Sequence, residues 1–202
     1  QSPTVDDARV AILRGCVMEG LFRETNRSTE RVLARNGYEI VEAERQGCCG
    51  ALHAHAGQLE TARELARRNI DAFLESGCDR VIVNAAGCGA AMKEYGTLLA
   101  EDSRYQERAR QFSSKVRDVS EILAERGIAP PSSPVSLRVA FDSPCHLIHA
   151  QRIAKAPVEL MKQIPLITLI PLRGSETCCG GAGIYNLQHS DLSYEVLRDK
   201  LE

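Results

Sequence analysis

The chain has 202 residues, 44% of them apolar and 26% charged, with 25 Lys and Arg against 27 Asp and Glu for a net charge of −2. That balance describes a globular polypeptide long enough for one large or two small cores. The cations are scattered, so the electrostatic footprint of a nucleic-acid binder is missing, and no apolar run reaches the length of a membrane span.

Residues 1–8 are polar and read as a frayed lead-in. Residues 10–13 fit a buried strand that ends at Gly15-Cys16. Helical spacing of Leu21, Phe22, Val32 and Leu33 follows, stopped by Asn36-Gly37. A second strand is expected over 38–41, closing on Gly47-Cys48-Cys49-Gly50. Apolar residues at Leu59, Ala62, Ala66, Ile70, Phe73 and Leu74 keep a 3.6-residue period, which predicts a helix over 58–76 ended by Gly77. A third strand over 81–83 delivers the chain to Gly87-Cys88-Gly89 and a helix near 90–99; two shorter helices are expected within 103–126. Residues 129–136, rich in Pro and Ser, read as a linker between units at 1–128 and 137–202. The pattern then restarts, with a strand at 137–141, Pro144-Cys145, a helix, a strand at 166–170, Cys178-Cys179-Gly180-Gly181 and a closing helix. Strand and helix alternating at this rhythm predict an α/β fold of parallel βαβ units.

Eight cysteines carry the chemistry. From Cys16 to the Cys48-Cys49 pair is 32 positions, and from Cys145 to the Cys178-Cys179 pair is 33, so one pattern is written twice. No export signal precedes them, which points to a reducing, cytoplasmic compartment where thiols serve metals or redox work. Four disulfides would satisfy the even count, but vicinal cysteines bridge one another only with strain. Cys16, Cys88, Cys145 and both pairs fall at strand-to-helix junctions. Parallel strands with right-handed crossovers collect such junctions on one rim, where helix amino termini stabilise negative charge. That setting is expected to lower thiol pKa values and favour metal-binding thiolate. Gly50, Gly87, Gly89, Gly180 and Gly181 would let backbone come close to a bulky inorganic group and offer amides to its sulfurs.

Cys16, Cys48, Cys49 and Cys88 match the ligand count of an iron–sulfur cluster or of structural zinc. The paired C-x-x-C or C-x-x-H knuckles of zinc sites are missing, which favours iron–sulfur. Cys78 lies at a helix-to-strand turn without a counterpart in the second repeat and reads as a small buried hydrophobe. His146 and His149 flank Cys145, and His53 and His55 follow the first pair; each suits a surface or capping role, a ligand or a donor to sulfur. His189 reads as a surface residue.

The runs G-C-C-G-A-L-H, N-A-A-G-C-G and K-E-Y-G, followed by S-P-C-H-L-I-H-A-Q-R and T-C-C-G-G-A-G-I-Y, resemble the tandem cysteine-rich CCG domains of glycolate oxidase iron–sulfur subunits. The cysteine-rich subunit of heterodisulfide reductase and the lactate-utilisation iron–sulfur proteins are more distant relatives of this type. The resemblance implies a 4Fe-4S cluster on Cys16, Cys48, Cys49 and Cys88, and a second site on Cys145, Cys178 and Cys179. It implies electron transfer from a flavin subunit that oxidises glycolate or another 2-hydroxy acid to a quinone or other acceptor. Any association with the inner face of the membrane would run through partners. A full subunit of this type would also carry an amino-terminal ferredoxin-like domain.

Two departures stand out. Ala85 occupies the place of a further cysteine in the heterodisulfide reductase pattern, so four ligands suit an ordinary cluster. The second repeat lacks its distal cysteine, expected about 38 positions after Cys179, so that repeat reads as truncated and the chain as a piece of a longer polypeptide. The competing readings are a zinc- or cluster-stabilised assembly module, and thiol–disulfide chemistry by the vicinal cysteines.

Overall fold

The computed structural model describes residues 9–131, 133–181 and 183–202. The expected lead-in over 1–8 and Ser132 of the linker lie outside the described residues. Strands β1 (Arg9–Ile12), β2 (Glu39–Ile40), β3 (Arg80–Val83) and β4 (Val116–Asp118) form one sheet in the order β2-β1-β3-β4, with every pairing parallel. Register pairs Val10 with Ile40 on one side and with Arg80 on the other. Between them run α1 (Val17–Leu21), α2 (Arg23–Arg35), α3 (Ala51–His55), α4 (Leu59–Glu75), α5 (Ala86–Lys93), α6 (Tyr95–Leu98) and α7 (Gln106–Lys115), and α8 (Val119–Arg126) follows β4.

The strands are apolar on both faces because helices cover both. Ala11, Leu13, Val81 and Val83 pack with Ala66, Ile70 and Phe73 of α4, Met92 of α5 and Phe112 of α7. On the opposite face, Val10, Ile12 and Ile82 meet Leu33 of α2 and Ile122 and Leu123 of α8. The helix α2 stops where the sequence indicated, with Asn36 as cap and Gly37 at φ 82°. Helix α4 matches its period to within a residue at each end.

The second repeat is shorter. Strands β5 (Leu137–Ala140) and β6 (Ile167–Ile170) pair in parallel, Leu137 opposite Ile167, around the helix α9 (Ala156–Lys162). Helices α10 (Tyr185–Gln188) and α11 (Ser190–Leu201) end it. The fold is therefore α/β with mainly parallel sheets in two tandem repeats, as expected. The repeats touch where α9 packs on α8, and where residues His146–Ala150 pack on α5.

Four local expectations are corrected. The strand expected over 38–41 keeps only two residues, since the Tyr38 amide is spent on the Leu33 carbonyl at the end of α2. Strand β4 was not anticipated. The helix expected near 90–99 starts at Ala86 and breaks at Glu94 into two pieces. After Cys145 comes a five-residue π-helical turn rather than an α-helix. Among the described residues no helix is long and apolar enough to cross a membrane.

Candidate metal centre

The segments that follow β1, β2 and β3 bring Cys16, Cys48, Cys49 and Cys88 to one rim. Cys16 caps α1 just after β1, Cys48 and Cys49 precede α3, and Cys88 lies in the first turn of α5, just after β3. The Cys16 thiol lies 3.5 Å from the Cys48 sulfur. Cys49 exchanges thiol contacts with both Cys48 and Cys88, so the four sulfurs form one chain of neighbours. All four line a cavity of about 240 Å³, and among the described residues no Lys or Arg joins its walls.

The loop bearing the cysteine pair is fixed from beneath. Asn69 of α4, only 1% exposed, accepts from the Gly47 amide at 2.9 Å and donates to the Cys48 carbonyl at 2.9 Å. Tyr95, equally buried, donates its hydroxyl to the Cys49 carbonyl at 2.7 Å and accepts from Asn69 at 3.2 Å. Gln46 ties the loop to the end of β1, donating to the Ile12 carbonyl and accepting from the Arg14 amide. These paired polar groups hold the sulfur positions. Gly50 is required by its φ of 80°, and a Cβ there would stand 3.3 Å from the Ala62 backbone. Its amide donates to the Cys48 sulfur at 3.4 Å.

The expected lowering of thiol pKa values occurs only at Cys88, where the contact with Cys49 outweighs burial. At Cys16, burial and then the contact with Cys48 push the pKa up. Cys48 is raised further by its contact with Cys49 and by burial. At Cys49 the contact with Cys48 lowers the value, but Cys88 and burial outweigh it and carry it to about 12. The correction has a physical cause. Helices α1 and α3 are five residues long, too short for much dipole, and among the described residues no cation lines the cavity to repay desolvation.

The residues fit a thiolate-bound group. Four soft donors face one another across shared space, and the Oδ1 of Asn84 in the cavity wall is buried without a partner among the described residues. The Asn84 amide nitrogen donates to Asn26 and Thr29, which directs that orphan oxygen away from α2. Among the described residues no three His, Cys, Asp or Glu side chains close on a point suited to a single ion.

The second set repeats the local motif without the closure. Gly180, at φ 76°, sends its amide to the Cys178 sulfur at 3.4 Å, as Gly50 does to Cys48. Cys178 and Cys179 are exposed, and Cys145 is half-buried with its sulfur 3.8 Å from His146 Nδ1. Cys78 is buried, as expected, and its thiol faces the Phe73 carbonyl. His189 is exposed against Tyr185, and His53 bonds Gln58 at the surface. His149 contacts the Glu176 carbonyl. His146, although beside Cys145, reaches the first cavity, where its ring stacks on His55 with centroids 5.9 Å apart.

A model of the cysteine-rich (CCG) domain matches residues 10–93 and again 139–202, the same two stretches that carry the two cysteine sets. The chain belongs to the CCG cysteine-rich domain family. It is 37% identical over 195 residues to the "Probable glycolate oxidase iron-sulfur subunit" of Bacillus subtilis, covering 96% of this chain and 44% of that protein. It is also 37% identical over 196 residues to the glycolate oxidase iron-sulfur subunit of Escherichia coli, covering 96% and 48%. Lactate utilization protein A of Shouchella clausii is 25% identical over 193 residues, covering 95% and 80%. The chain spans less than half the length of the two glycolate oxidase relatives. Asn69, Tyr95 and Asn84 were not anticipated from the sequence. Asn69 had a signal, since a polar residue falls within the apolar stripe of α4.

Proposed function

We propose that this chain is the cysteine-rich part of an iron–sulfur electron-transfer subunit in a glycolate or related 2-hydroxy-acid oxidase. The convergence of Cys16, Cys48, Cys49 and Cys88 on one cavity carries this reading. Those four residues would hold a 4Fe-4S cluster, which when bound supplies one-electron transfer. The relatives named as iron-sulfur subunits favour a cluster over zinc for this donor set. The Gly50 amide would donate to a cluster-bound sulfur, and Asn69 and Tyr95 would hold the ligand loop against reorganisation. Apolar walls from Leu13, Leu52 and Val83 would exclude water.

Cys145, Cys178 and Cys179 would supply a second site. The boundaries at 1–128 and 137–202, joined by 129–136, fit two domains each built around one cysteine set. Substrate oxidation would belong to a flavin partner, and the electrons would leave to a quinone or another acceptor. The test is anaerobic purification followed by iron and sulfide analysis and EPR before and after dithionite. Iron with matching sulfide and a signal that appears on reduction is expected. Stoichiometric zinc with EPR silence would establish a structural role instead.

A further inference from the structure

A second cavity of about 350 Å³ lies against the cysteine cavity and shares Cys49, His55 and His146 with it. It is formed by both repeats, since α3, α5 and α6 line one side and the π-helical turn lines the other. Its volume lies within the range of small-molecule sites. Gly50, Ala54, Gly87, Ala90, Ala91 and Ala150 keep the walls smooth and apolar, leaving space that larger side chains would fill.

Among the described residues, its polar lining comes from the imidazoles of His55 and His146, the Glu94 carboxylate, the Cys49 thiol and the Tyr95 hydroxyl. No Lys or Arg stands among them, so a 2-hydroxy-acid carboxylate would have no counter-ion and would face Glu94. Glu94 keeps one oxygen free of its bond with Thr97. The two imidazoles, stacked at 20°, form a flat edge with ring nitrogens. Such a site suits a neutral flat ring with oxygens at its ends, which accept from imidazole or donate to carboxylate.

We propose that this cavity binds the single-ring head of a quinone or quinol, beside Cys49. The inference rests on the electron-transfer reading for the class of ligand; the cavity and its charge are properties of the chain. It makes the joint between the repeats the place where the acceptor docks, and it assigns Ala54 and Ala150 as residues that must stay small.

The probe is tetramethyl-1,4-benzoquinol, kept reduced under argon so that thiols are not alkylated, titrated by calorimetry into the anaerobic chain with glycolate as the contrasting anion. Binding of the quinol and not of glycolate is expected. Ala54→Leu, a substitution on a half-buried helix position, should weaken quinol binding at least tenfold, and Ala150→Leu on the exposed π-turn should do the same. Absence of binding to the unaltered chain overturns the proposal, as does binding that both variants leave unchanged or that glycolate displaces. Iron counted on the same samples separates the two claims. A chain that holds iron but ignores the quinol overturns this proposal alone; one that binds the quinol without ever holding iron supports the ring site and overturns the electron-transfer reading.

Discussion

Replacing Asn69 by Leu is the most informative change to the scaffold beneath the cysteines. The two side chains are close in size, so the substitution removes hydrogen bonds without leaving a large void. It strips the Gly47 amide of its acceptor, the Cys48 carbonyl of its donor and the Tyr95 hydroxyl of a second partner. A buried polar group left unpaired costs about 1–3 kcal/mol, so two backbone groups together cost roughly 2–6 kcal/mol. For a chain of this length each kcal/mol moves Tm by about 2–4 °C, which predicts a fall on the order of 4–24 °C. Thermal unfolding of the metal-free chain, followed by circular dichroism, measures it. Tyr95→Phe should cost less, and the double variant less than the sum, because both remove the same contact. Iron retention should fall with Asn69→Leu, since the loop loses its anchor. A variant within about 0.5 kcal/mol of the parent, with unchanged iron, would show that Asn69 does not hold the loop.

Gly180→Ala should destabilise the second repeat more than Gly50→Ala does the first, because its Cβ would stand 2.4 Å from the Ser193 carbonyl oxygen, against 3.3 Å at Gly50; chemical denaturation of both variants ranks them. Gly89→Ala would press on the Gln151 amide at 2.6 Å and break its bond to the Ala86 carbonyl, loosening the joint between the repeats. Gln151→Ala in the same chain should add little further cost, and full additivity would contradict the shared contact. The raised thiols at Cys16, Cys48 and Cys49 are neutral at pH 7, so reconstituting the first site with iron and sulfide must expel protons, and cluster loading should rise with pH. In the metal-free chain the same shifts act oppositely. Their stability contribution is full below the ordinary thiol value of 9.0 and falls as pH climbs towards the folded value of about 12 at Cys49. Anaerobic reconstitution with iron and sulfide across neutral pH, followed by absorbance, and denaturation above pH 9, check the two signs.

The sequence made the gross plan readable because its signals are local. The period of α4, the Asn36-Gly37 stop and the doubled cysteine spacing each act over a few turns of chain. Strand β4 escaped because it has three residues and runs directly into α8, whose capping box uses Asp118 and Glu121 and makes the whole stretch read as helical. Convergence of the four cysteines followed from parallel topology, but their protonation did not. Burial and thiol–thiol contact are properties of the closed cavity. The reach of His146 into the first site was equally hidden, since it depends on how the π-turn packs against α5. Asn84 shows the same limit, because an orphaned oxygen is recognised only once its neighbours are in place.

Iron and acid-labile sulfide, counted per chain after anaerobic purification of Cys88→Ser beside Cys78→Ser, put the four-thiol site to its most direct trial. Cys88 touches Cys49 in the cavity wall, whereas Cys78 is buried against Phe73 and away from it. Loss of the metal from the first site in Cys88→Ser, with full retention in Cys78→Ser, is the expected result. Equal metal in both variants, or loss from Cys78→Ser alone, would contradict it.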